Sequence, residues 1–116
     1  MATLNRYECI GNLGKDPDMQ VTNGGTFFTR FTVAVSQGKN NPALWWNCVC
    51  WGELAERAEK FLYKGAKVYL EGTLKLRLYQ DKSGAQKQAI DFVIANFQLL
   101  SEYRKGAPEE ESEPSV

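Results

Sequence analysis

Apolar and polar residues alternate along most of this chain, and where the alternation fails the composition favours turns. Residues 5–13 read as a strand with Tyr7, Cys9 and Leu13 on one side. Gly11 falls in that inner set, where a missing side chain lets a strand bend or another backbone come close. Residues 14–18 have turn composition, and residues 19–22 form a short strand. Asn23-Gly24-Gly25 then closes a hairpin, because these residues accept positive φ. Residues 26–36 alternate again, with Phe27, Thr29, Phe31, Val33 and Val35 opposite Phe28, Arg30, Thr32 and Ala34. The polar stretch 37–42 is a loop. It leads into Leu44-Trp45-Trp46-Asn47-Cys48-Val49-Cys50-Trp51, a strand that holds all three tryptophans.

Only residues 52–64 break the period of two in favour of a helix. Leu54, Ala58, Phe61 and Leu62 form one apolar stripe. Glu53 and Glu56 come early and Lys60 and Lys64 late, the order a helix dipole favours, and Gly65 is placed to end the helix. Residues 66–79 then give the cleanest alternation. Val68, Leu70, Gly72, Leu74, Leu76 and Leu78 lie on one face; Lys67, Tyr69, Glu71, Thr73, Lys75, Arg77 and Tyr79 lie on the other. Fourteen residues span roughly 45 Å at about 3.3 Å each, more than a small barrel uses, so the far end is expected to project as an arm. Asp81-Lys82-Ser83-Gly84 is the turn, and residues 86–100 return antiparallel. On the return the apolar parity slips between Ile94 and Phe97, which predicts a bulge near Ala95-Asn96. From Ser101 the pattern stops.

Three core strands, one helix and two long strands make the layout of an OB-fold. The expected architecture is all-β: a five-stranded Greek-key barrel with one helix between strands 3 and 4 and a projecting strand 4–5 hairpin. Residues 1–104 form the folded domain, and residues 105–116 a short acidic tail that is disordered by composition.

The tryptophan strand carries aromatics on both faces, which admits two readings. One face packs inside the domain and the other against a second subunit; or Trp45 and Trp51, which share a face with Asn47, form a platform on which flat ligands stack. Lys75, Arg77 and Tyr79 share one face of the arm, an aromatic among cations that suits either a nucleic-acid groove or plain solvation. The charges of the helix read as a solvated face.

Composition narrows these readings. A chain of 116 residues, 43% hydrophobic and 24% charged, is one ordinary globular domain. No apolar run reaches the roughly 18 residues of a membrane span, and the N-terminus lacks a signal-peptide pattern, so a cytoplasmic location is expected. Three cysteines at no framework spacing read as buried and inert. Histidine is absent, which removes the commonest zinc ligand and the commonest general base together. With no clustered carboxylates on the core strands either, neither an enzyme, a metal site nor a cofactor is expected. The formal net charge is zero, yet Glu109, Glu110, Glu111 and Glu113 all lie in the tail. Without those four, 14 basic face 10 acidic side chains, a net of +4. A mildly basic body with an acidic tail hints at a nucleic-acid partner.

Three motifs in order carry a family resemblance. Gly11-Asn12-Leu13-Gly14-Lys15-Asp16-Pro17, then Trp45 with Trp51-Gly52-Glu53-Leu54-Ala55-Glu56, then residues 62–72 resemble bacterial single-stranded DNA-binding proteins over roughly residues 4–100. The resemblance implies a homotetramer, with a homodimer as the alternative, that binds single-stranded DNA with little sequence preference in replication, repair and recombination. It implies stacking by Trp45, Trp51 and Tyr79 and backbone contacts from Arg6, Lys64, Lys75 and Arg77. Phe28, Arg30 and Lys87 complete the DNA-contacting set, with Lys39 where relatives carry a stacking tryptophan and Asn47 where they carry a basic residue. Trp46 stands where relatives often have histidine, on a face expected to look outward to a neighbouring subunit, with Glu8 and Ile10 as further interface positions. The tail ends Glu-Pro-Ser-Val rather than in acidic residues followed by Pro-Phe, so recruitment of repair or replication proteins through it is not expected.

The expected mechanism is base stacking, worth about 1–3 kcal/mol per base, together with phosphate neutralisation that weakens with salt. The thinner set of cations and aromatics leaves a second reading open, a primosomal-type protein-interaction module of the same fold with weak DNA binding.

Overall fold

A computed structural model describes residues 2–102. The expected acidic tail, residues 105–116, lies outside the described residues. The elements run β1 (Tyr7–Leu13), β2 (Asp18–Val21), β3 (Phe27–Val35), β4 (Leu44–Trp51), α1 (Glu53–Phe61), β5 (Lys67–Gln80) and β6 (Gln86–Leu99).

Sheet order is β1-β5-β6-β4-β3-β2, and β1 also pairs with β3 through Asn12↔Ala34 and Leu13↔Val33. That extra pairing closes five strands into a ring and leaves β2 as a hairpin partner on β3, so the OB barrel expected from the element order is the observed one. Closure depends on Gly11: a Cβ there would run into the carbonyl oxygen of Ala34. Among the described residues the one parallel pairing, β4 with β6, joins Asn47↔Asp91, Cys48↔Phe92 and Val49↔Val93.

The inner faces supply the core. Phe31, Val33, Cys48, Cys50, Val68, Leu70, Phe92, Ile94 and Phe97 are buried, and Ala55, Ala58 and Leu62 cover one end of the barrel. The buried Thr29 hydroxyl donates to the Ala55 carbonyl at 2.8 Å, which ties the helix to β3 and satisfies a polar group inside the core. Cys48 and Cys50 are buried as expected; Cys9 is only half-buried.

Two expectations need correcting. The helix ends at Phe61 rather than Lys64, because Leu62 turns to extended backbone (φ −91°, ψ 152°) and carries itself, Tyr63 and Ala66 into the barrel. Gly65, at φ 88°, therefore ends the following turn and not the helix, with the Gly65 N–H donating to the Leu13 carbonyl at 2.9 Å. Trp46 does not point outward. It shares the inner face of β4 with Cys48 and Cys50 and is half-buried at the barrel end opposite the helix. Its indole N–H donates to the Tyr7 hydroxyl at 2.9 Å, and both rings pack on Phe92. Burying much of the ring and satisfying its N–H within the chain favours this inward orientation.

The arm forms as expected. Beyond Lys75 and Asp91, where the pairing of β6 with β4 ends, the ribbon of β5 and β6 leaves the barrel, and Leu76, Leu78 and Ile90 are exposed. The parity slip on β6 is a bulge: Glu71 pairs with Asn96 and Gly72 with Ile94, which leaves Ala95 unpaired. Among the described residues no helix is long and apolar enough to cross a membrane.

Candidate nucleic-acid interface

The outer face of β3 and β4 is built by register. Phe28 lies opposite Trp51, Arg30 opposite Val49, Thr32 opposite Asn47 and Ala34 opposite Trp45. The parallel pairing with β6 extends this face through Asp91 to Lys75 on β5, and the arm continues it with Arg77, Tyr79 and Lys87. One continuous sheet surface therefore carries Trp51 at the helix end, Asn47 in the middle and Trp45 toward the arm. Six residue steps of strand separate the two tryptophans, about 20 Å.

The aromatics are open where stacking needs them open. Trp45 is 57% exposed, Trp51 45% and Tyr79 42%. Phe28 and Trp51 form a tilted pair with ring centroids 5.2 Å apart. Trp45 leans over the turn after β1, and Gly14 makes room for it: a Cβ there would lie 2.6 Å from the Trp45 ring. Val49, on the same strand face as the tryptophans, is buried, so the platform consists of separate aromatics with an aliphatic floor between them.

Cations interleave with the rings. The Arg30 guanidinium lies 5.6 Å from the centre of the Phe28 ring, and that of Arg77 lies 5.5 Å from the centre of Tyr79. Arg77 is also held by Asp91 through two hydrogen bonds, 2.8 Å from Nε and 3.2 Å from Nη2. That fork fixes the guanidinium plane, and it pushes the arginine still further above its already high titration range. Between the tryptophans lies a groove of about 300 Å³ lined by Lys15, Asp18, Arg30, Thr32, Asn47 and Arg77.

Most of the sequence-derived candidates meet on this surface: Phe28, Arg30, Trp45, Asn47, Trp51, Lys75, Arg77, Tyr79 and Lys87. Three stand apart. Arg6 precedes β1, which lies beside β5 and three places from β4 in the sheet order, and it pairs with Glu8 at 2.7 Å. Lys64 follows the helix, with its backbone N–H donating to Asp16 at 2.8 Å. Lys39 is exposed in the loop between β3 and β4. Of the expected interface positions, Glu8 and Ile10 are exposed on β1, whereas Trp46 faces inward.

Lys15, Asp18, Thr32 and Asp91 were not anticipated. The Asn23-Gly24-Gly25 turn held a signal for Asp18, since counting back from it along the hairpin pairs Asp18 with Arg30. Asp91 gave none without the register of β5 on β6. Among the described residues no group of three His, Cys, Asp or Glu is placed to hold a metal ion.

Comparison with known proteins finds a matching family and a shared fold. The model of the single-strand binding protein family matches residues 4–100. A relative in Chlorobaculum tepidum, single-stranded DNA-binding protein 1, is 36% identical over 105 residues. That match covers 84% of this chain and 65% of the relative. A single-stranded DNA-binding protein of Neisseria meningitidis is 36% identical over 119 aligned positions, covering 94% of this chain and 68% of its own. The chain thus spans about two thirds of the length of these relatives. Among solved structures, a Plasmodium falciparum SSB complex with ssDNA superimposes with a TM-score of 0.77. At 24% identity, over 87% of this chain and 98% of that one, it shows the shared fold.

Proposed function

The chain belongs to the single-strand binding protein family, and on that premise we propose that it binds single-stranded DNA by base stacking and Lys/Arg–phosphate contacts, with little sequence preference, and protects the strand in replication, repair and recombination. The observation that carries this reading is the exposure of Trp45, Trp51 and Tyr79 on one continuous sheet surface with Arg30, Lys75, Arg77 and Lys87 beside them. Every base offers a π-face, so an aromatic platform holds any sequence, while cations track the backbone. Arg6, Lys39 and Lys64 contact the strand where it leaves this surface. The role is binding rather than catalysis, and the setting is the cytoplasm and its nucleoid.

Residues 1–104 act as the DNA-binding and oligomerising domain, and residues 105–116 carry four glutamates. A homotetramer is the proposed assembly, with a homodimer as the alternative. Support comes from β1, which among the described residues meets β3 only at Asn12 and Leu13 and leaves one edge unpaired from Tyr7 to Gly11, and from Ile10, 50% exposed on its outer face. Light scattering at micromolar concentration tests it, and a monomer contradicts it.

One observation favours the protein-interaction module. Arg77 is engaged by Asp91, and the groove centre at Asn47 is neutral, which thins the cationic track. A gel-shift comparison of labelled oligothymidylate with duplex DNA decides between the two. Tight binding of the single strand supports the first reading, and no shift at micromolar protein supports the second.

A further inference from the structure

The groove between Trp45 and Trp51 contains an acid that a track for phosphates has no use for. Asp18 lines it together with Lys15, Arg30, Thr32, Asn47 and Arg77. Asp91, a carboxylate beside this surface, is neutralised by the bidentate Arg77. Asp18 is not: among the described residues no cation pairs with it, although Arg30 is its register partner across the β2–β3 hairpin. One of its oxygens accepts from Gln20 at 2.8 Å, which orients the carboxylate and leaves the other oxygen free. Arg30 is likewise not spent on an acid; its guanidinium is held over the Phe28 ring. Beside them the floor is neutral and polar, with Thr32 two residues along β3 from Arg30 and opposite Asn47.

A bare carboxylate repels a phosphate but accepts hydrogen bonds from a base edge. Arginine forks match the O6 and N7 acceptors of guanine. Guanine is also the base that adds two adjacent donors, N1–H and the N2 amino group, on the neighbouring edge. Adenine and cytosine offer one amino donor, and thymine one ring N–H.

Resting on the reading of this surface as a single-strand binding face, we propose that the groove floored by Thr32 and Asn47 is a base-reading subsite for guanine, in which Asp18 accepts from the Watson–Crick edge and Arg30 donates to O6 and N7. Stacking then supplies affinity for any sequence, and this one position adds a preference.

The test uses the full chain and short fluorescein-labelled oligothymidylates whose central base is dT, dG, dA or dC, read by anisotropy. The central-dG probe is expected to bind about tenfold more tightly than the all-dT probe, the gain of one good polar base contact. Asp18→Ala moves the two probes in opposite directions. It removes a negative charge and so tightens the all-dT probe, while the dG advantage disappears. A role for Asp18 in folding alone predicts no such crossing. Saturable binding with equal affinity for all four probes overturns the guanine subsite and leaves the general single-strand reading standing. A dG advantage that survives Asp18→Ala also overturns it. No binding to any probe overturns both readings.

Discussion

Phe28 and Trp51 face each other across β3 and β4 with their rings tilted by 34° and their centroids 5.2 Å apart. Phe28 is half-buried and braces the more exposed indole, so their roles separate on mutation. Trp51→Ala is expected to weaken oligothymidylate binding by about 1–3 kcal/mol, one lost stack, with little change in thermal stability. Phe28→Leu is expected to weaken it less, through a looser Trp51. Isothermal titration of both variants checks the order.

Arg77 and Asp91 form a second pair on the same surface. Asp91 is only 8% exposed, so Arg77→Ala leaves a nearly buried carboxylate without its partner and is expected to cost about 1–3 kcal/mol of stability as well as DNA affinity. Arg77→Lys keeps the charge but not the fork, and so recovers part of the affinity and little of the stability. Asp91→Asn releases the guanidinium toward phosphate. It is expected to make the salt dependence steeper, by about 0.7 in log–log slope for one added phosphate contact. Denaturant melts and titrations at several salt concentrations read these effects separately.

Trp46 belongs to the barrel, and its mutants should behave as stability mutants. Trp46→Ala is expected to cost roughly 3 kcal/mol, below a fully buried tryptophan because the ring is half-buried. Tyr7→Phe removes only the 2.9 Å hydrogen bond and is expected to cost about 1 kcal/mol. Chemical denaturation gives both values, and DNA affinity per folded molecule stays near that of the parent chain.

The thiols give a prediction with a definite sign. Burial disfavours the thiolate, pushing Cys50 up to about 12, Cys48 higher still, and Cys9 upward as well. At pH 8 the native protein is expected to react slowly with a thiol reagent at all three positions, Cys9 first. Denaturant is expected to release three fast-reacting thiols. A fast native phase at Cys48 or Cys50 contradicts the packing described.

At the arm tip, Asp81 accepts hydrogen bonds from the Ser83 hydroxyl and the Ser83 and Ala85 N–H groups, and these hold its carboxyl below the usual range. The folded value is lower than the unfolded one, so the contribution to the turn is complete above about pH 4 and is lost as pH falls through the lowered folded value. Amide exchange at Ser83 and Ala85 is expected to quicken in that acid range before the barrel unfolds, and Asp81→Ala to abolish the difference.

Much of this was legible in the sequence because a period of two is a direct record of which side faces the core. The slip between Ile94 and Phe97 even located the bulge at Ala95. Trp46 was misread because both faces of β4 carry aromatics, and parity groups residues without saying which group is inner. A hydroxyl 39 residues away decided it. The helix end was misplaced because Leu62 continues the apolar stripe yet is buried from an extended segment, as barrel and helix want the same residue type there. At the site, parity found the exposed aromatics. The engagement of Arg77 by Asp91 and the isolation of Asp18 depend on cross-strand register, which sequence spacing records only where a tight turn sets the count.

Tryptophan emission during titration with oligothymidylate, at low and at high salt, tests the central claim most directly, because two of the three indoles lie on the proposed platform and the third is half-buried away from it. The expected result is deep, saturable quenching with an affinity that falls as salt rises. Unchanged emission at saturating oligonucleotide, or quenching indifferent to salt, would contradict the account.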